Sequence, residues 1–182
     1  MSDHRRLVHT RSITVEAYAR DDALWDLEAR ITDLKTRDLT LDGRTLPAGD
    51  PLHDMTLSLT IDTGMNVVGV RAQTHAAPYT AHCSSFPEVY QALLGLNLLQ
   101  QFRARVRERV GGNEGCTHIT ELAAVLPTVA IQAFAGEVPR PDRTAGSMPA
   151  HLNRCRALRL DGPVVAKHYP SWYAAPNKGD AK

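Results

Sequence analysis

The chain has 182 residues, 43% hydrophobic and 23% charged, with 21 Lys and Arg against 20 Asp and Glu for a formal net charge of +1. That length suits one domain with a real core and is too short for two large ones. The balanced charge lacks the basic footprint of a dedicated nucleic-acid or anionic-membrane binder, and no apolar run approaches the roughly 20 residues that cross a bilayer.

The start MSDHRRLVHTR carries no apolar stretch of the signal-peptide kind, so the expectation is a cytoplasmic protein that binds neither nucleic acid nor membrane. Cys83, Cys116 and Cys155 are odd in number and widely spaced, a poor disulfide framework that reads as reduced thiols.

In chain order, Ser12 to Arg20 alternates apolar and polar residues, with Ile13, Val15, Ala17 and Ala19 on one side, which predicts a strand. LWDLEARIT repeats the pattern with Trp25, Leu27, Ala29 and Ile31. Asp42 to Pro51 holds two Gly and two Pro and reads as a loop. MTLSLTI, the turn Asp62-Thr63-Gly64 and NVVGVRAQT form a predicted β-hairpin, with Val68, Val70 and Ala72 inward on its return strand.

Helical spacing then sets in. Phe86, Val89, Tyr90, Leu93 and Leu94 form one stripe ending at Gly95, and Phe102, Val106 and Val110 another, among four arginines from Arg103 to Arg109. A third stripe, Ile119, Leu122, Leu126, Ala130 and Phe134, should be kinked or interrupted by Pro127. Strands followed by helices predict an α+β fold, an antiparallel sheet of three to five strands with helices packed on one face. The predicted division is a core domain over 1–138, a Pro- and Gly-rich linker over 139–150 and a C-terminal extension over 151–182.

Four reactive groups fall at element ends: His53 opens a hairpin strand, Cys83 precedes a helix, and Cys116 and His118 open another. Two thiols and one or two imidazoles suit zinc or iron, and a three-ligand set of His53, Cys83 and Cys116 would leave a position for water or substrate. In Gly115-Cys116-Thr117-His118 the glycine permits a sharp turn, and a thiol at a helix N-terminus has a lowered pKa. On a regular helix Cys116 and His118 project about 200° apart, so both reach one ion only if the first turn is non-helical.

A metal-free arrangement is the alternative, with Cys116 as nucleophile and His118, His82 or His53 as base, or a carboxylate among Asp54, Asp62 and Glu121 acting beside a histidine. Blander roles stand against each of these, a buried thiol, a turn carboxylate or a solvated helix face. The arginine series reads first as a solvated face. No GxGxxG, P-loop or GxSxG motif is present, so no nucleotide cofactor is expected.

The succession EAYARDD, ITDLK, PAGDPLHDM, the Cys83 segment with LLGL, and RERVGGNEGCTHITEL resembles a bacterial family of domains of unknown function whose members carry YxRDD, GxxxHDM and GGxxGCTHLxEL. The resemblance runs from about Arg6 to Phe134, with further similarity in RCRALRLDGPVVAKHYPSWY; Ile119 stands where leucine is usual and Ala23 where glycine is usual. It implies bacteria that degrade aromatic and other small organic acids, and supplies no reaction. The order of strand start, hairpin, cysteine before a helix and cysteine at a helix start is also similar to the U-type iron–sulfur scaffold fold. That likeness implies Cys83 and Cys116 as ligands with His53 or Asp54 nearby, while Pro51 and Leu52 stand where the scaffold's first cysteine would be.

The favoured expectation is a small metalloenzyme, a lyase or hydrolase acting on a small aromatic or acyl compound, with His53, Cys83 and Cys116 on zinc or iron, His118 as fourth ligand or acid–base group, and Asp54 and Glu121 as further acid–base groups. A metal-binding or iron–sulfur scaffold without turnover is the second, a cofactorless acid–base lyase the third. The partner expected is a small-molecule substrate, with room for a homo-oligomer.

Overall fold

The computed structural model describes residues 4–41, 43–83, 87–138, 148–149 and 151–175. Its elements are strands β1 (His9–Ala19), β2 (Trp25–Lys35), β3 (Leu39–Leu41), β4 (Arg44–Leu46), β5 (Pro51–Ile61) and β6 (Val67–Ala76), and helices α1 (Thr80–Cys83), α2 (Phe102–Val110), α3 (Thr117–Ala133) and α4 (Pro163–His168). Short 3₁₀ segments span Pro87–Leu93, Gly112–Glu114 and Pro170–Trp172. The chain divides into two compact units, Met1–Ala133 and Phe134–Lys182.

The first unit is α+β. Its main sheet is antiparallel throughout in the order β1-β2-β5-β6. Strand alternation puts Leu27, Ala29 and Ile31 of β2 beside Met55, Leu57, Leu59 and Ile61 of β5, all at most 1% exposed, with β2 and β5 the two central strands. Ile119, Leu122, Leu126 and Ala130 of α3 are equally buried, and α3 packs on β1, β2 and β5. Burying each such Leu or Ile contributes roughly 1.5–3 kcal/mol, so this sheet–helix layer carries most of the stability.

Several local expectations are corrected. The loop predicted from Asp42 contains β4, which pairs with β3 in a separate two-stranded ribbon. The stripe ending at Gly95 forms a 3₁₀ segment in place of an α-helix, with Tyr90 and Leu93 fully buried and Val89 and Leu94 facing out; Phe86 lies outside the described residues. Val68 is 48% exposed, because Thr60 pairs with Gly69 and Ile61 with Val67, which leaves Val68 as the extra residue of a β-bulge.

Helix α3 continues through Pro127, which is buried. A proline removes one amide from the helical ladder, here the one that would meet the Ala123 carbonyl; Arg103 Nε of α2 donates to the next carbonyl, that of Ala124, at 2.7 Å. Arg109 likewise donates to the Ala92 carbonyl at 2.5 Å. Two of the arginines thus tie α2 to neighbouring backbone.

In the second unit Leu152 and Val165 are buried, and His151 Nε2 lies 3.1 Å from the Tyr169 hydroxyl. Of the linker predicted over 139–150, all but Met148 and Pro149 lie outside the described residues.

Candidate functional site

At the end of β2 the inward series Leu27, Ala29, Ile31 continues to Asp33, whose side chain is 1% exposed. Register sets Arg11 of β1 on one side of it and His53 of β5 on the other. Helix α3 brings His118 over the same point from its first turn.

Five nitrogens converge on this carboxylate. Oδ1 lies 2.8 Å from Arg11 Nε and 3.1 Å from His9 Nε2. Oδ2 lies 2.8 Å from Arg11 Nη2, 3.0 Å from His53 Nδ1 and 3.4 Å from His118 Nε2. The His53 and His118 rings sit face to face with centroids 3.8 Å apart and planes tilted by 31°. Asp33, His53 and His118 each offer a ligand atom within 4.8 Å of the other two, a group that could hold a metal ion. His9 Nδ1 is buried and has no hydrogen-bond partner among the described residues.

The electrostatics keep the carboxylate charged and favour the neutral imidazoles of His53 and His118. Arg11 hydrogen bonds hold Asp33 down to about 2 against the opposing effect of its burial. Burial pushes His53 below its ordinary value, only partly offset by Asp33. His118 is lowered by burial first, then by His53 and Arg11. Neutral imidazoles beside an ionised carboxylate present the lone pairs a cation needs.

Of the residues expected from sequence, His53 and His118 enter this group. Cys116 adjoins it: its carbonyl accepts the first intrahelical bond of α3 from the Thr120 amide at 2.9 Å, so Cys116 is the cap residue outside the helix. This non-helical position lets its Sγ lie 3.7 Å from His118 Nδ1 and 3.6 Å from Met55 Sδ, on the side of the His118 ring away from Asp33. Gly115 is extended at φ −146°, which any residue adopts; its small size is needed because an added Cβ would lie 2.6 Å from the Val110 carbonyl oxygen and 3.0 Å from the Tyr90 hydroxyl.

Cys83 ends α1, its carbonyl accepting from Thr74 Oγ1 at 3.1 Å, and belongs to no converging donor group among the described residues. Asp54, next to His53 on a strand, falls on the opposite face, where Arg30 Nε donates to it at 2.7 Å and lowers its pKa. Glu121 is 42% exposed and binds Arg11 Nη1 at 2.7 Å, at the rim of the site. Asp62 shapes the β5–β6 turn by accepting the Asn66 amide at 2.8 Å.

Asp33, Arg11 and His9 were absent from the expected set. Their signal is nevertheless present: extending the inward period-2 series past Ile31 gives Asp33, and extending the Ile13 series backward gives Arg11 and His9. A charged residue on the core face of a strand is the informative exception.

A family model described as "Protein of unknown function (DUF2889)" matches residues 9–132. The chain belongs to that family. The DUF2889 segment thus contains the whole sheet, α2, nearly all of α3 and every residue of the converging group. No curated protein and no solved structure matches the chain, and the likeness to the iron–sulfur scaffold rests on element order alone. No helix among the described residues is long and apolar enough to cross a membrane.

Proposed function

We propose that this protein is a mononuclear metalloenzyme, a cytoplasmic hydrolase or lyase acting on a small aromatic or acyl compound, with Asp33, His53 and His118 as ligands of zinc or iron. The observation that carries this reading is the crowding at the Asp33 carboxylate, three of whose five nitrogen neighbours lie on Oδ2. A carboxylate has about four lone-pair sites, and five nitrogens crowd this one within 3.4 Å. Donor atoms bound to one ion at about 2.1 Å stand roughly 3.0 to 3.4 Å apart, depending on geometry. The two Asp33–His separations, 3.0 and 3.4 Å, fall in that range.

Charge supports the same reading. Asp33 and Glu121 flank Arg11 beside the imidazoles of His53 and His118, which burial holds toward the neutral form. Two imidazoles and a carboxylate suit zinc or ferrous iron and leave positions for water and substrate. Such an ion polarises a substrate oxygen or activates bound water, as hydrolysis and elimination both require.

Elemental analysis of protein purified without a metal-binding tag tests this. About one equivalent of zinc or iron is expected, lost in Asp33→Ala and His118→Ala. Protein that remains metal-free after incubation with either ion, with its melting temperature unmoved, would overturn it.

A second reading follows from the row Cys116 Sγ, His118 and Asp33, with separations of 3.7 and 3.4 Å on the two ring nitrogens. Thiol, imidazole and carboxylate in that order form a nucleophile with an oriented base. Rapid alkylation of Cys116 at neutral pH in metal-free protein favours it over the metal reading.

A further inference from the structure

The main sheet carries two β-bulges at one end. Asp33 pairs with His53 and Leu34 with Pro51, which leaves Leu52 as an extra residue; Asp54 pairs with Ala76 and Met55 with Thr74, which leaves His75 as another. Both extra side chains line one half-open cavity of about 670 Å³, flanked by the β3–β4 ribbon and the chain around Tyr79. Bulges re-aim side chains and are enriched beside binding sites, and this volume lies within the usual range for small ligands.

The lining has a distinct chemistry. Leu41, Leu46, Leu52 and Pro78 supply an apolar wall, and Arg44, His75, His82 and Tyr79 are the lining residues that carry side-chain donors. Among the described residues no acidic side chain takes part in the lining, although the chain as a whole has 20. Arg44 has no acidic partner among the described residues, and unlike Arg103 and Arg109, which bind backbone carbonyls, it lines a cavity. None of the three converging donors Asp33, His53 and His118 lines the cavity, and His75 reaches Thr56 Oγ1 at 3.3 Å, on the sheet face opposite Met55.

We infer that this cavity binds a small organic monoanion, an apolar body bearing one carboxylate that Arg44 receives. Apolar surface holds the body, and the guanidinium pairs with both carboxylate oxygens in the fork geometry available to arginine and denied to lysine. The inference is independent of the proposed metal, because the site shares no residue with it.

The test uses benzoate as probe, with benzamide as its uncharged counterpart, titrated calorimetrically into the full chain with and without a chelator. Benzoate should bind in both conditions and benzamide at least about tenfold more weakly. Arg44→Met, at an exposed position and with unchanged melting temperature, should weaken benzoate by about tenfold or more, the loss of one charge-assisted pair. Equal binding of benzoate and benzamide, no binding of benzoate at about 10 mM, or unchanged affinity in Arg44→Met would overturn the inference. Benzoate binding that disappears with chelator and ignores Arg44 would also overturn it and would place the anion on the metal.

Discussion

The Tyr90 hydroxyl holds the backbone of Cys116 from both sides, accepting its amide at 2.9 Å and lying 2.8 Å from its carbonyl oxygen. Thr120 Oγ1 is 2.9 Å from the same hydroxyl and donates to the Val110 carbonyl at 3.0 Å. Tyr90 is fully buried, so this cluster fixes the entry to α3, and with it His118, from inside the core. Burial also raises the Tyr90 pKa, which keeps the hydroxyl protonated as donor.

Tyr90→Phe should therefore destabilise the protein by about 2–3 kcal/mol, because the Cys116 amide loses its partner in a water-poor place. Denaturant unfolding measures the loss. The His118 ring should become more mobile, visible as broadened imidazole signals, and metal affinity should fall even though Tyr90 is no ligand.

Cys116→Ala removes only the thiol, since the backbone does the capping. Metal content should stay near that of the parent protein, with a stability change below about 1 kcal/mol. Loss of metal in this variant would make the thiol a ligand.

Stability should fall with acid in two stages. His53 and His118 have folded pKa values below their ordinary 6.5, so the unfolded chain binds more protons as pH drops below that value, and stability declines there. Asp33 titrates near 2 when folded against 3.8 ordinarily, so its contribution is complete above about pH 4 and lost as pH falls to about 2. That second stage amounts to about 2 kcal/mol. Asp33→Asn should abolish it in a pH series of chemical melts.

Asp54→Asn tests the opposite face. Its partner Arg30 is 55% exposed, and an ion pair in that setting contributes about 1 kcal/mol or less. Metal content should be unchanged, in contrast to the neighbouring His53→Ala.

Ala23, in the β1–β2 turn, adopts φ 62°, a left-handed conformation that disfavours a Cβ. Ala23→Gly should raise stability by about 0.5–1 kcal/mol, a gain of roughly 1–4 °C in melting temperature.

The sequence by itself determined the elements whose cause is local. Alternation marked β1, β2 and β5 because inward residues recur every second position, and the Phe102, Val106, Val110 stripe marked α2 because a helix returns to one face every 3.6 residues. It also singled out His53 and His118 as reactive groups at element ends. Tertiary structure alone decided that they share a carboxylate. Asp33 meets His53 through β2–β5 pairing and His118 through the docking of α3, and no spacing along the chain encodes either distance. The bulge at Leu52 had the same origin: one extra residue in a strand changes which side chains face inward, and where it is accommodated depends on the partner strand's packing. Asp54 needs no bulge: ordinary alternation one step along β5 from His53 carries it through the sheet to Arg30.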